Sequence, residues 1–206
     1  MKDFWNSVWA LEVKYPSPNN TKELPWEIYK HDKNLEEVIK SLNTKDFNIL
    51  ELGCGSGYDT SFLSKIAKSI TAIDISKIAI DIAKKNNIKN NNIEFIVGDI
   101  NTDIPNKKYN LVYDKGCLHN NIKDANNLFN NLYQKLNKNG KIIIITGNTN
   151  DKVSFYTKPA STDISTIEIA SKGLFNIKLV KEITYELNKN YESGLGWIFV
   201  LEKKEF

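Results

Sequence analysis

The chain has 206 residues, 41% hydrophobic and 26% charged, enough for one α/β domain with a sizeable core, and no Pro/Gly/Ser-rich linker divides it. Its net charge of +3 comes from 28 basic side chains, all lysine, against 25 acidic ones, scattered rather than massed, so nucleic acid is not indicated as a partner. The opening Met1–Asn6 lacks a signal-peptide core, apolar runs such as Ile142–Ile145 are far too short to span a bilayer, and Cys54 and Cys117 lie in separate loops, so the expectation is a cytoplasmic protein without membrane segment or disulfide framework.

The first element is Phe4-Trp5-Asn6-Ser7-Val8-Trp9, followed after a Pro- and Asn-rich stretch by Leu24-Pro25-Trp26-Glu27. Indole rings bury large areas, so residues 1–44 read as an aromatic cover or lid on the domain that follows. His31 reads as a surface residue. A strand at Asn48–Leu52 runs into Gly53-Cys54-Gly55-Ser56-Gly57 and then a helix over Asp59–Ala67, with Phe62, Leu63 and Ile66 on one face. Next come a strand at Ser69–Asp74, a helix over Lys77–Lys85 with Ser76 as N-cap, and strands at Ile93–Val97 and Tyr109–Tyr113. A helix over about Asp124–Leu136, closed by Asn139-Gly140, leads to a strand at Lys141–Thr146. A helix near Asp163–Ser171 and strands at Ile177–Leu187 and Trp197–Glu202 complete the series.

This alternation specifies an α/β, Rossmann-like, doubly wound and mostly parallel sheet. The last two strands are joined by too short a loop for a right-handed parallel crossover, so they form an antiparallel hairpin. One domain is expected, with an arm at 1–44, a ligand-binding core at 45–150 and a C-terminal helix and hairpin at 151–206. Residues 148–161, with Phe155, Tyr156, Lys158 and Pro159, read as a loop over the ligand pocket.

In an open α/β sheet the ligand lies beyond the carboxyl ends of the strands. Glycines 53, 55 and 57 let the backbone turn sharply and approach a ligand, with a helix start behind them. The spacing departs from the dinucleotide pattern G-x-G-x-x-G, because the sixth position is Tyr58 and the third glycine falls at 57. Asp74 follows the second strand, 21 positions beyond Gly53, where a carboxylate can accept from both hydroxyls of a ribose. Gly98-Asp99-Ile100 follows the third strand and Asp114-Lys115-Gly116 the fourth. Taken singly, the glycines fit a tight turn, Asp74 a helix-cap neighbour and Asp99 a turn residue. Their order at successive strand ends points to one extended ligand.

Glu51-x-Gly53-x-Gly55-x-Gly57 resembles motif I of class I S-adenosylmethionine (SAM) dependent methyltransferases, and a sheet closed by one antiparallel strand is similar to their seven-stranded architecture. The resemblance implies SAM as cofactor. Glu51, Gly53, Cys54, Gly55 and Gly57 would hold its methionine end, Asp74 and Ile75 the ribose, and Gly98, Asp99 and Ile100 the adenine. Asp114 and His119 would border the reacting methyl as catalytic candidates, Lys115, Cys117 and His119 would meet the substrate, and Trp26 would close the site. No metal is implied. The tryptophan-bearing arm with its Pro-Trp element, and Asp114-Lys115-Gly116 where an Asp-Arg-Gly stands in relatives, resemble the thiopurine, tellurite-resistance and thiol methyltransferase group. That resemblance implies a small soft acceptor, a thiol, another chalcogen or a halide; a monomer or weak dimer is expected. Asp-Lys-Gly also resembles the loop of elongation-factor lysine methyltransferases, which keeps a protein substrate open. A SAM-binding protein without turnover and a nicotinamide-dependent oxidoreductase are the remaining readings, the latter opposed by the glycine spacing.

Overall fold

The computed structural model describes residues 1–13, 23–151 and 161–205. Seven strands form one sheet: β1 Asn48–Leu52, β2 Ser69–Asp74, β3 Ile93–Val97, β4 Tyr109–Lys115, β5 Leu136–Gly147, β6 Phe175–Tyr185 and β7 Gly194–Lys203. Their order is β3-β2-β1-β4-β5-β7-β6. Pairings from β3 to β5 are parallel, whereas β7 runs antiparallel to both β5 and β6. This is the α/β sheet with a single antiparallel strand that the short final connection requires.

Strands buried on both faces read as unbroken apolar runs, and β5 shows why. Ile142 and Ile144 join one core, with Leu128, Phe129 and Leu132 of helix α5 (Ala125–Lys135) and Ile167 of α6 (Ile164–Ser171). Ile143 and Ile145 join the other, with Leu35 and Ile39 of α2 (Lys33–Ile39), Leu63 of α3 (Tyr58–Ser64) and Ile80 of α4 (Lys77–Asn86). Each such side chain gains about 2 kcal/mol from burial. A third cluster seats α1 (Lys2–Trp9) against α4 through Val8, Trp9, Leu24 and Ala79.

One local expectation changes. Helix α5 does not run to Asn139-Gly140. It ends at Lys135, and Leu136 already pairs with Tyr109 before the register slips between Tyr109 and Leu111. Asn139 takes a left-handed φ of 57° inside β5, so it bends a strand rather than closing a helix. Helices α1 and α2 span only 8 and 7 residues, too few turns to give a clear apolar period. Phe155, Tyr156, Lys158 and Pro159 lie outside the described residues. Among the described residues no helix is long and apolar enough to cross a membrane.

Candidate functional site

The glycine loop between β1 and α3 is shaped by contacts that leave no room for side chains. Gly53 has φ +64°, and a Cβ on it would lie 2.5 Å from Cys117 Cβ. Gly55 has φ +52°, and a Cβ there would meet the Trp9 ring at 3.0 Å. The loop's own donors turn inward. Gly53 and Cys54 N–H donate to the Ile73 carbonyl at 2.8 and 3.1 Å, and Gly55 N–H donates to Asp74 Oδ2 at 2.9 Å. A phosphate-binding loop needs those groups free, so these three are spent within the fold. Gly57 is the left-handed N-cap of α3 and its carbonyl accepts from Asn87 Nδ2. It is outside the cavity wall.

Beyond the strand ends lies a cavity of about 640 Å³, within the range of small-ligand sites. Its wall brings together Glu51, Gly53, Cys54, Gly55, Asp74, Ile75, Gly98, Asp99, Ile100, Lys115, Cys117, His119 and Trp26, residues expected in the site from sequence. Asp74 accepts from Ser76 N–H at 2.9 Å as well as from Gly55, which locks β2 to the glycine loop. Asp99 Oδ1 accepts from Asn101 N–H and Nδ2 at 2.8 and 2.9 Å, and Ile100 is buried beside it.

Asp114, expected beside the reacting methyl, lies off the cavity wall. Successive side chains on a strand point to opposite faces, and on β4 it is Tyr113 and Lys115 that reach the cavity. Asp114 is absent from its wall and buried, and Oδ1 accepts from Leu118 N–H at 2.9 Å while Oδ2 has no partner among the described residues. Burial raises its pKa to about 7. It anchors the short 3₁₀ segment Leu118–Asp124, which carries His119. Burial pushes His119 down to about 4, leaving a neutral imidazole whose Nδ1 has no partner among the described residues.

Lys115 sits in a charged network that sequence reading missed. Its Nζ is 2.8 Å from Oδ2 of the fully buried Asp32. Asp59 Oδ1 accepts from Asp32 N–H and Oδ2 from the Tyr113 hydroxyl, both at 2.7 Å. Burial pulls the Lys115 pKa down, but Asp59 and Asp32 outweigh it and hold the ammonium charged. Burial lifts the Asp59 carboxyl and, with Asp59 and Asp74 nearby, lifts Glu51 well above its ordinary range. Asp32 had a local signal, since its side chain caps α2 through Asn34 N–H. Tyr185, also in the wall and raised to about 12 by burial, had none, because it arrives from β6.

The arm forms the roof. Trp26 meets Trp5 and Trp9 edge-on at 6.0 and 6.4 Å. Asn188 N–H donates to the Pro25 carbonyl at 2.7 Å and Asn188 Nδ2 to the Glu27 carbonyl at 2.8 Å. Glu27 Oε1 accepts from Ser56 Oγ at 2.9 Å, tying the arm to the glycine loop as well. His31 is partly exposed, stacked on Phe62 and bonded to Glu36, away from the cavity wall.

The wall suits a nucleoside that carries positive charge: carboxylates at the β2 and β3 ends, aromatic cover, and a buried Glu51 whose Oε2 lacks a partner among the described residues. With the seven-stranded order, these features define a class I SAM-dependent methyltransferase fold. Residues 43–190 match the family model described as Methyltransferase domain. The chain belongs to that family, and its cofactor is SAM.

The chain is 34% identical over 170 residues to malonyl-[acyl-carrier protein] O-methyltransferase 1 of Ilyobacter polytropus, covering 80% of this chain and 60% of that protein. It is 26% identical over 162 residues to ribosomal RNA small subunit methyltransferase A of Mesomycoplasma hyopneumoniae strain 232, covering 78% and 60%. The chain thus spans 42% to 60% of the first curated relatives it matches. Among solved structures, one from work on conversion of a disulfide bond into a thioacetal group during echinomycin biosynthesis superposes with a TM-score of 0.82 at 15% identity, covering 99% of this chain and 92% of that one. TehB from Haemophilus influenzae gives 0.66 at 17%, covering 84% and 62%. At such identities these structures establish the shared fold.

Proposed function

We propose that this domain transfers the methyl group of SAM to a small nucleophile, preferably a thiol or another soft chalcogen or halide acceptor. The observation that carries the reading is the pinned roof: residues 23–30, held by Asn188 and Ser56, cover part of the cavity with aromatic side chains, which suits a small acceptor. SAM supplies an activated methyl on a sulfonium, and its transfer needs positioning and exclusion of water more than a strong base. Asp74 would accept from the ribose hydroxyls, Asp99 from the adenine amine, and Ile100 would pack on the ring. Trp26, in the cavity roof, would shield the sulfonium from water.

His119 supports the soft-acceptor reading through its weakness as a base. A neutral imidazole with a pKa of about 4 orients an acceptor but holds a proton poorly, which suits a thiol, already partly ionised at neutral pH with an ordinary value of about 8.5, better than an ammonium at about 10.4. A second reading, methylation of a carboxylate presented on an acyl-carrier protein, draws on the 34% identity to the Ilyobacter enzyme.

Incubation of the protein with methyl-labelled SAM and a cell lysate tests these readings. Label confined to small molecules supports the first, label on malonyl-carrier protein the second, and label on lysine side chains a protein-lysine methyltransferase. SAM binding without transfer to any acceptor would make the domain a sensor. Calorimetry should show SAM binding weakened at least tenfold by Asp74→Ala, and unchanged affinity would remove Asp74 from the cofactor site.

A further inference from the structure

Two glycines make room for Tyr185. It arrives on β6, at the opposite edge of the sheet from β3, and reaches the cavity wall without belonging to the strands β1, β2 and β3, whose ends carry the expected cofactor residues. A Cβ on Gly196 of β7 would lie 3.0 Å from the Tyr185 Cβ and 3.2 Å from its Cδ2, as well as 2.7 Å from the Thr146 carbonyl. A Cβ on Gly116, just past β4, would meet the Tyr185 hydroxyl at 2.8 Å. One glycine clears the root of the side chain and the other its tip.

The hydroxyl so placed has nothing to bond to. Tyr185 is 2% exposed and lines the cavity, yet its hydroxyl makes no hydrogen bond among the described residues. A buried phenol ordinarily finds a partner, because leaving one unpaired is costly. A second polar group beside it is in the same condition. The position that lies 2.8 Å from the Tyr185 hydroxyl is 3.4 Å from Cε1 of His119, whose buried Nδ1 also lacks a partner among the described residues. Gly116 has a left-handed φ of +71°, which favours glycine, and its missing Cβ leaves a notch that the two side chains flank. Burial holds the Tyr185 pKa up at about 12, so the phenol keeps its proton at neutral pH and serves as a donor.

We propose that Tyr185 and His119 form an oxygen-recognition site for the methyl acceptor, in which the notch over Gly116 takes a carbonyl or carboxylate oxygen carried close to the acceptor's sulfur and Tyr185 donates to it. The inference rests on the thiol reading and narrows it to thiols that bear such an oxygen. The ends of β1, β2 and β3 serve the cofactor, so a donor brought in from β6 is left for the acceptor. A thiol without the oxygen leaves both polar groups unpaired, and a site built to hydrogen-bond its substrate rejects an analogue of the same shape in that way.

The test gives the whole chain methyl-labelled SAM and three thiols of nearly one shape: mercaptoacetamide, mercaptoacetate and isobutanethiol. The first two place a carbonyl or a carboxylate where the third has methyl groups. The natural chain should show kcat/KM about tenfold or more higher for an oxygen-bearing thiol than for isobutanethiol, and the better of the first two identifies the oxygen taken. Tyr185→Phe removes only the hydroxyl and should cut that preference to about threefold or less, chiefly through KM. SAM affinity measured by calorimetry should stay within about threefold in the variant, a readout that a merely structural role would not divide from the change in preference. Isobutanethiol used as well as the other two by the natural chain, or an equal preference in the natural chain and the variant, overturns the inference while leaving the thiol reading intact. A loss of SAM affinity as large as the loss of preference places Tyr185 with the cofactor and also overturns it. Methylation of none of the three overturns the inference together with the thiol reading.

Discussion

Replacing Asp114 by Asn should stabilise the protein, and by more as the pH rises. The carboxyl is 2% exposed, anchors one backbone N–H, leaves Oδ2 without a partner among the described residues, and is raised by burial from 3.8 to about 7. Below pH 3.8 it is protonated in both folded and unfolded chains and contributes no pH dependence. Between 3.8 and about 7 the unfolded chain gives up this proton while the folded one keeps it, so stability falls as pH rises. At 1.36 kcal/mol per pK unit, the full displacement has a ceiling of about 4 kcal/mol. Asn keeps the oxygen that accepts from Leu118 and cannot ionise. Urea unfolding of Asp114→Asn and the natural chain at half-unit steps from pH 4 to pH 8 measures the difference. The variant's advantage should be smallest at the acid end, rise through this window and level off above it. A difference that does not change with pH would show that the buried carboxyl imposes no such burden.

Gly53→Ala should lose at least about 2 kcal/mol of stability, from the left-handed φ and from a Cβ driven to 2.5 Å from Cys117 Cβ. Adding Cys117→Gly should recover only the steric part, as thermal melts of both variants will show. Lys115→Met should destabilise by roughly 3–5 kcal/mol, because it leaves Asp32 buried without its cation. Asp32→Asn in the same chain should restore most of that in chemical denaturation. Trp26→Ala breaks two edge-on ring pairs, each worth about 0.5–1.5 kcal/mol, so it should lower the melting temperature and weaken SAM binding in calorimetry, while Trp26→Phe recovers part of both. His119, held neutral with a pKa of about 4 against 6.5 in the unfolded chain, contributes stability that is complete above 6.5 and lost as pH falls towards 4. Acid unfolding of His119→Gln should therefore be shallower across that window.

The sheet was legible because its signals are local. Strand β1 ends in alternating glycines, Ser76 caps α4 as expected, and the short final connection permits only a hairpin. Asp74, Asp99 and Ile100 could be placed at strand ends without knowing how the strands pack. Asp114 was misplaced because the face of a strand residue depends on where its neighbours point, and Tyr113 and Lys115 claim the cavity. The Asp32–Lys115–Asp59–Tyr113 network draws on α2, β4 and α3, and no spacing within a single segment encodes it. Tyr185 and Asn188 come from the far end of the chain, where nothing in the local pattern marks the first as a neighbour of Lys115 or the second as a neighbour of Pro25 and Glu27.

The two bonds from Asn188 to Pro25 and Glu27 join residues up to 163 positions apart, and Tyr191 reaches the Glu23 carbonyl across 168. Contacts of such long sequence separation form late, since their loop-closure entropy must be met before they contribute. During synthesis the tryptophan arm is made before its anchor, which is translated only after the parallel strands β1 to β5. Helix α1 can seat on α4 before Asn188 is made, and the roof is pinned only when the last hairpin docks. Substitutions at Asn188 should accordingly speed unfolding while leaving the folding rate nearly unchanged.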